Sequence, residues 1–486
     1  MLFNSIEFPL FLLVEFLLYW QVLSSSYRQQ NILLLVSSYF FYGWWDWRFL
    51  SLIIISSFVD YYVGKKLGTN SIQWQRKGLL LISLIVNLSL LAYFKYFNFF
   101  IDSFSDLLNQ LGLQANTSSL NIILPVGISF YTFQTLSYTI DIYKKEIKPT
   151  NNFIAFFTFV AFFPQLVAGP IERAKRLLPQ FEKARKFQYK FASSGAKLIL
   201  IGFFKKMVVA DNAARLVDIV YNDPISYAGF PMLVATIFFS FQIYCDFSGY
   251  SDIAVGTARI MGFELINNFN KPYFASSIAD FWRRWHISLS TWFRDYVYIP
   301  LGGNRKGKLK TFINIIFTFT ISGLWHGANW TFIAWGAIHG IMLIIYRLIK
   351  DLNERLNHIV FKLPHLLRVI ITFIVVCFAW VFFRANSLND AVFIISNMFG
   401  DTDHYFNYLI LSTKFRGIGL TPGDLLTVSI FIIIIILIDF FETNNKLAKA
   451  LESSRLLKWS FYYIILFSTI IWGVQNSAEN FIYFQF

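Results

Sequence analysis

The chain has 486 residues, of which 56% are hydrophobic, 20% aromatic and only 14% charged. A soluble protein carries about 25% charged residues, so this composition excludes an ordinary soluble domain. Apolar runs of roughly 20 residues, enough for one bilayer crossing, recur along the whole chain. The alternating segments of an outer-membrane barrel are absent. We therefore predict an all-α polytopic membrane protein.

The formal net charge of +14 comes from Lys and Arg in the loops between apolar runs. This placement indicates the positive-inside bias and contact with anionic membrane lipid, and we expect no nucleic-acid partner. Two cysteines, Cys245 and Cys377, are too few for a disulfide framework or a CxxC metal motif. The first 23 residues lack a basic start and a small-residue cleavage site, so we expect a retained membrane helix, not a signal peptide.

Charge predicts the direction of the first five crossings. Basic residues follow the first, third and fifth apolar runs, whereas residues 102–121, after the fourth, hold Asp102 and Asp106 but no Lys or Arg. Since cytoplasmic loops carry the excess of Lys and Arg, we expect successive runs to alternate in direction. These runs occupy residues 8–23, 31–45, 49–64, 78–100 and 122–142.

The next apolar run, residues 153–170, breaks this alternation because both of its flanks are basic. If both flanks are cytoplasmic, the run enters and leaves on one side, with a break at Pro164 or at Gly169-Pro170. Irregular backbone at membrane depth is tolerated only where it is buried in protein or lines a cavity. A re-entrant segment would therefore indicate an internal chamber, and an ordinary crossing with an atypical flank is the alternative.

The rest of the chain adds further crossings. Residues 195–210 carry Lys197, Lys205 and Lys206, which favours a helix that lies at the membrane interface. We expect eleven or twelve crossings plus partial helices, in a single integral-membrane domain that comprises residues 1–486. The later apolar runs occupy residues 230–256, 311–346, 366–383, 424–441 and 459–475.

The stretch CDFSGYSD, residues 245–252, places Asp246 and Asp252 within an apolar run. An ionisable residue inside the membrane is costly, and it tends to be buried, paired and functional. Asp246 is accordingly a candidate substrate-binding residue. The favoured alternative is structural: either carboxylate caps a helix or pairs with an arginine of the next segment.

Residues 280–308, DFWRRWHISLSTWFRDYVYIPLGGNRKGK, are rich in both Trp and Arg. On one continuous helix Trp282 and His286 share a face, and Arg283 and Arg294 could reach for phosphates at headgroup depth. The loop LGGNRKGK lacks the spacing of a P-loop, so ATP hydrolysis is not predicted. Membrane anchoring by this loop and a packing role for His286 are the alternatives.

Residues 311–346 contain no Asp, Glu, Lys or Arg and include the stretch GLWHGANW. A single helix of that length would measure roughly 54 Å at about 1.5 Å per residue, whereas the hydrocarbon core is only about 30 Å thick. The run must therefore break or fold back, most simply at Gly323, Gly327 and Asn329. His326 then lies beside the break, below the membrane surface.

A neutral imidazole in a dry site is a usable general base, because burial favours its uncharged form. His326 is the candidate for this role. The six histidines form no HExxH motif, so we predict no metal site. The glycines have a structural explanation. Gly323 and Gly327 are four residues apart, as are Gly336 and Gly340, and such small-xxx-small pairs favour close packing of helices.

Three stretches together resemble the membrane-bound O-acyltransferase (MBOAT) family, most of all its bacterial alginate and peptidoglycan O-acetyltransferase branch. They are DFSGYSDIAVG, NFNKPYFASSIADFWRRWHISLSTWFRDYVYIPLGGNR and SGLWHGANWTFIAWGAIHG. The core motifs fall at about residues 122–345, within a resemblance that reaches back to residue 1. The C-terminal helices, 366–486, are similar in hydropathy and in the ending FIYFQF.

The resemblance implies a ring of helices around an intramembrane chamber, in the inner (plasma) membrane of a bacterium. The near-invariant histidine of the family falls on His326, and its second motif position falls on His286. The resemblance also implies acetyl-CoA as a cytoplasmic donor substrate, with no bound cofactor. The acetyl group would move outward to an extracytoplasmic glycan, often through a partner enzyme of the SGNH type.

Two neighbours of the histidine could support an oxyanion, since Trp325 and Asn329 both carry N–H donors; packing is the alternative for each.

Other functions stay open. Buried charges and broken helices also suit a transporter or flippase for a glycan or lipid precursor, although we find no inverted repeat. Within the family, the acyl group could instead go to a protein, a lipid or, as D-alanine, to a teichoic acid.

Overall fold

A computed structural model describes residues 1–113, 120, 122–167, 169–355, 363–400, 421–443, 453–474 and 481–482. Helices are the regular elements of this part of the chain. Their bounds are α1 Glu7–Leu17, α2 Tyr27–Asp46, α3 Leu50–Thr69, α4 Gln73–Leu91, α5 Phe97–Gln110, α6 Ile128–Tyr143, α7 Phe153–Ala161, α8 Phe163–Leu166, α9 Ala174–Phe181, α10 Tyr189–Phe203, α11 Asp211–Asn222, α12 Phe230–Ile260, α13 Ile278–Arg284, α14 Ile287–Phe293, α15 Gly307–His326, α16 Trp330–Arg355, α17 His365–Arg384, α18 Leu388–Asn397, α19 Pro422–Thr443 and α20 Arg455–Trp472.

Five helical stretches among the described residues are long and apolar enough to cross a membrane. They confirm the predicted all-α polytopic membrane protein, while the count of eleven or twelve crossings and the ring around a chamber stay predictions. Of the predicted outer segment 102–121, residues 102–110 belong to α5, and 114–119 and 121 lie outside the described residues. The five stretches are Gln73–Gln110, Phe230–Ile260, Trp330–Leu352, His365–Arg384 and Gly423–Phe441.

The chain divides into two compact units. The first unit comprises residues 1–199 and 253–266, and the second comprises residues 200–252 and 267–486. The candidate histidines belong to the second unit.

The first unit buries a carboxyl group that the sequence analysis did not single out. Asp60, on α3, is fully buried and accepts hydrogen bonds from the hydroxyls of Ser83 and Thr139. The amide of Asn87 donates to its second oxygen at 2.8 Å. Because a buried charge or polar group must be hydrogen-bonded to be tolerated, these donors from α4 and α6 tie three helices together.

The predicted break within residues 153–170 is present, but at a different residue. α7 ends at Ala161, and Phe162, with φ −51° and ψ 106°, separates it from α8. Pro164 lies in the first turn of α8, where a missing N–H costs nothing. A helix of nine residues is about 13 Å long and too short to cross, which supports a re-entrant segment; the side of its flanks stays a prediction.

The charge-free run 311–346 folds back as predicted. α15 ends at His326 and α16 begins at Trp330, so three residues form the connection. A Cβ atom built on Gly323 would lie 3.2 Å from Cα of Gly336 and would collide with a backbone carbonyl of α16. Close packing through glycine is therefore confirmed, and it fixes the end of α15 against α16.

We expect Gly336→Ala to destabilise the protein by about 1–3 kcal/mol, the usual cost of overpacking, because its Cβ would collide with the carbonyl oxygen of Phe319. Gly78→Ala is the matched control, since no atom lies within 4 Å of the added Cβ. The control should be neutral or stabilising by up to about 1 kcal/mol through helix propensity. Thermal unfolding in detergent measures both, and equal shifts would contradict the close crossing.

Candidate active site

His286 lies at a sharp turn between α13 and α14. Its backbone is left-handed, with φ 41° and ψ 55°, a conformation that is uncommon for residues other than glycine. The side chain is fully buried. The predicted continuous helix through Trp282 and His286 is therefore wrong: the helix stops at Arg284 and restarts at Ile287, because backbone bonds from a neighbouring segment reverse the chain there.

Asn270 and Asn268 supply those bonds. The N–H of Asn270 donates to the carbonyl of Arg284 at 2.9 Å, and the backbone oxygen of Asn268 accepts from the N–H of Ile287 at 2.9 Å. The side-chain oxygen of Asn268 accepts from the N–H and the hydroxyl of Ser288, at 3.2 Å and 2.9 Å, and lies 3.1 Å from Nδ1 of His286. One buried amide thus holds both the turn and the imidazole.

His326 is the last residue of α15 and is only 2% exposed. Aromatic rings surround its imidazole, with centroids at 5.0 Å for Trp325, 5.1 Å for Trp335 and 5.4 Å for Phe383. These walls exclude water from the ring, so the imidazole occupies the dry environment that favours its neutral form.

The structure brings the two predicted histidines together. The ring centroids of His286 and His326 are 6.4 Å apart, and Trp325 lies within 6.1 Å of His286. That separation is too long for a direct hydrogen bond between the rings. Burial lowers the pKa of His286 to about 3, so this ring is uncharged at neutral pH.

His339, a further histidine of α16, has a packing role in the structure. It is fully buried against Trp335, and its Nδ1 accepts a hydrogen bond from the indole N–H of Trp282 at 3.3 Å. Asn329 likewise serves the fold: its amide donates to the carbonyl of Asn386 at 3.3 Å and accepts from the N–H of Thr331 at 3.0 Å. Oxyanion support by Asn329 stays a prediction that these contacts do not favour.

Arg283 and Arg294 line a cavity of about 520 Å³ in the second unit. Most of its wall is apolar, and Arg347 is a third arginine in its lining. The lining also includes Ile287, which follows His286, and Ser322, one turn before His326 on α15. The cavity is therefore walled by the segments that carry both histidines.

Asp246 belongs to a buried cluster of charges. It pairs with Lys206 at 2.6 Å, and Lys206 also pairs with Asp211 at 2.7 Å. Asp252 pairs with Lys205 at 2.7 Å. The expectation of an arginine partner from the next segment is wrong, because lysines pair with both carboxylates. Lys206 is buried between Asp246 and Asp211, since buried carboxylates need a buried cation. The interfacial placement of residues 195–210 stays a prediction. Substrate binding by Asp246 stays a prediction, and its pairing supports the structural alternative.

Sequence reasoning missed Asn268 and the aromatic residues Trp335 and Phe383. Asn268 opens the stretch NFNKPY, which carried part of the family resemblance, but nothing in a single sequence indicates that its amide faces His286. Trp335 lies nine residues beyond His326, and only the reversal of the chain after α15 brings it back against that histidine.

The comparisons with known proteins agree on one family. The sequence model of the membrane-bound O-acyltransferase family matches residues 45–390. A protein named probable alginate O-acetylase in Pseudomonas putida is 38% identical over 460 residues, which cover 92% of each chain. The peptidoglycan O-acetyltransferase of Helicobacter pylori is 37% identical over 385 residues, 74% of this chain and 72% of its own.

A more distant relative has a different name. The teichoic acid D-alanyltransferase of Bacillus subtilis is 31% identical over 281 residues, 55% of this chain and 70% of its own.

The stretch that the family model matches, residues 45–390, contains the predicted core motifs at 122–345 and both histidines. The prediction that residues 1–486 form one domain is not tested by these matches.

Proposed function

Because this chain belongs to the membrane-bound O-acyltransferase family, we propose that it transfers acetyl groups from cytoplasmic acetyl-CoA for O-acetylation of an extracytoplasmic polysaccharide. It would act in the inner (plasma) membrane of a bacterium. The match to an alginate O-acetylase covers 92% of this chain, whereas the match to a D-alanyltransferase covers 55%, which favours acetyl over D-alanyl transfer.

The observation that carries this proposal is the pair of buried histidines beside an apolar cavity. His326 and His286 come from segments 40 residues apart, yet their rings are 6.4 Å apart in a wall of aromatic side chains. Two buried imidazoles this close together, next to segments that line the cavity, support proton transfer during acyl transfer.

In the proposed step the acceptor hydroxyl oxygen attacks the carbonyl carbon of the acetyl thioester. A C–O bond forms and the C–S bond breaks. His326 takes the hydroxyl proton and returns it to the leaving thiolate, so the products are an O-acetyl ester and the CoA thiol. The indole N–H of Trp325, whose ring lies 5.0 Å from that of His326, would support the developing oxyanion.

The cavity suits the donor. A volume of about 520 Å³ is within the range typical of small-molecule sites. Its apolar wall suits an uncharged pantetheine arm, and Arg283, Arg294 and Arg347 supply planar guanidinium groups that match phosphate oxygens. The acceptor would be a glycan, reached directly or through an extracytoplasmic SGNH-type partner that receives the acetyl group.

We expect His326→Ala to abolish transfer of labelled acetyl from acetyl-CoA, with a loss of at least about 100-fold, since general base catalysis contributes 10²–10⁴-fold in rate. The fold should persist, as judged by elution in size-exclusion chromatography and by thermal unfolding. The measurement is ester formation by purified protein in liposomes, with CoA thiol release followed in parallel.

The matched control is His365→Ala, because His365 is an exposed histidine at the start of α17. This control should keep wild-type activity. Full activity of the His326→Ala protein would exclude His326 as the base. Wild-type protein that uses a D-alanyl thioester and ignores acetyl-CoA would contradict the proposed donor.

Replacing one cavity arginine, in Arg283→Gln, Arg294→Gln or Arg347→Gln, should raise KM for acetyl-CoA by about tenfold with little change in kcat. A hydrogen bond to a charged group contributes about 1.5–3 kcal/mol, and binding that is equal in ground and transition states affects KM alone. Steady-state kinetics measure the effect. With a donor that lacks the 3′-phosphate of CoA, the increase in KM should be smaller for the variant of the arginine that binds this phosphate.

The control for this series is Arg455→Gln, which changes an exposed arginine of the second unit outside the cavity. Its KM should equal that of the wild type. If all three cavity variants matched this control, the cavity would not be the phosphate-binding part of the donor site.

A further inference from the structure

Asn268 does more than hold a turn. Its side-chain oxygen lies 3.2 Å from the backbone N–H of Ser288 and 2.9 Å from the hydroxyl of the same residue. A backbone N–H can only donate, so the amide atom that faces it must be the carbonyl oxygen. A flipped amide would set two donors against each other, which settles the orientation of this side chain.

The same oxygen lies 3.1 Å from Nδ1 of His286. An amide oxygen can only accept a hydrogen bond, so Nδ1 must carry the hydrogen in that contact. A neutral imidazole has one N–H and one nitrogen with a lone pair. The lone pair of His286 therefore belongs to Nε2, at the edge of the ring that faces away from Asn268.

We infer that Asn268 fixes His286 as the Nδ1-protonated tautomer, so that Nε2 presents a lone pair to the acceptor hydroxyl. The second half of this inference rests on the proposed function. Nε2 can then take a proton or accept a hydrogen bond from the hydroxyl, but it cannot donate to the oxyanion. Asn268 is thus a positioning residue that acts through His286.

The surroundings of His286 hold the ring in that orientation. Phe247 contacts it edge to face with centroids 4.5 Å apart, and Phe269 stacks on it at 6.4 Å. Both are apolar and neither competes for a ring nitrogen. The hydroxyl of Ser288 lies 3.5 Å from Nδ1, but it donates its hydrogen to the side-chain oxygen of Asn268 at the shorter distance of 2.9 Å. The left-handed backbone at His286 is strained, and it persists because the backbone oxygen of Asn268 also accepts from the N–H of Ile287.

The direct test is the tautomer itself. Full-length protein with ¹⁵N-labelled histidine is studied in lipid bilayers by solid-state NMR, and His286 is assigned by comparison with His286→Gln. We expect a protonated Nδ1 and an unprotonated Nε2 at neutral pH. A protonated Nε2 with a bare Nδ1 overturns the inference, whatever the activity of the protein.

Two variants test the consequence for catalysis. Asn268→Leu removes the acceptor, so kcat should fall at least about tenfold, with KM for acetyl-CoA unchanged. Asn268→Asp keeps an acceptor oxygen, so it should retain the Nδ1-protonated form and recover a large part of kcat. Asn270→Leu, at an exposed position of the same stretch, is the matched control and should behave as the wild type.

These outcomes separate the two proposals. Wild-type protein with the expected tautomer but without acetyl transfer would contradict the proposed function and leave the role of Asn268 intact. Active protein in which Asn268→Leu keeps both kcat and the tautomer would contradict the role of Asn268 alone. If Asn268→Leu does not fold, the wild-type spectrum and Asn268→Asp still decide the question.

Discussion

The close crossing of α15 and α16 determines where the candidate base lies. Gly323 and Gly336 let the two backbones approach to a distance that no Cβ would permit, and the chain can therefore reverse within three residues after His326. The reversal returns Trp335 against the imidazole at a centroid distance of 5.1 Å. Without that contact, the end of α15 would lie open, and His326 would lose the dry surroundings that keep it a neutral base.

A second constraint is that each polar group buried in this apolar chain needs a hydrogen-bond or ion-pair partner. The partner of His286 is Asn268, and that of Asp246 is Lys206. The two pairs have different roles. The amide of Asn268 selects one nitrogen of a ring and so bears on chemistry, whereas the ion pair of Asp246 neutralises a carboxylate and supports the fold.

The sequence predicted the parts of this account that depend on length and composition. The length of the charge-free run 311–346 required a break near His326, and the glycines predicted a close crossing. It could not predict the turn at His286, because the helical spacing of Trp282 and His286 continues through it and the bonds that stop the helix come from Asn268 and Asn270. The family resemblance indicated both histidines, but only the fold shows them 6.4 Å apart.

The partners of the buried charges were also beyond prediction from the sequence. Lys205 and Lys206 occur in an apolar stretch, where lysine is typical of a helix at the membrane surface. In the structure both side chains are buried, at 8% and 2% exposure, and pair with carboxylates of α12 some 40 residues later. Such pairing over a long sequence separation depends on tertiary contacts, which a single sequence does not contain.

The central claim is that His326 and His286 act on one hydroxyl as a single unit. A double-mutant cycle on kcat, with His326→Ala, His286→Gln and the double variant, tests it most directly. Residues that act as a unit are strongly non-additive, so the double variant should be no slower than the worse single variant within experimental error. Losses that multiply in the double variant would show two independent roles and contradict the account.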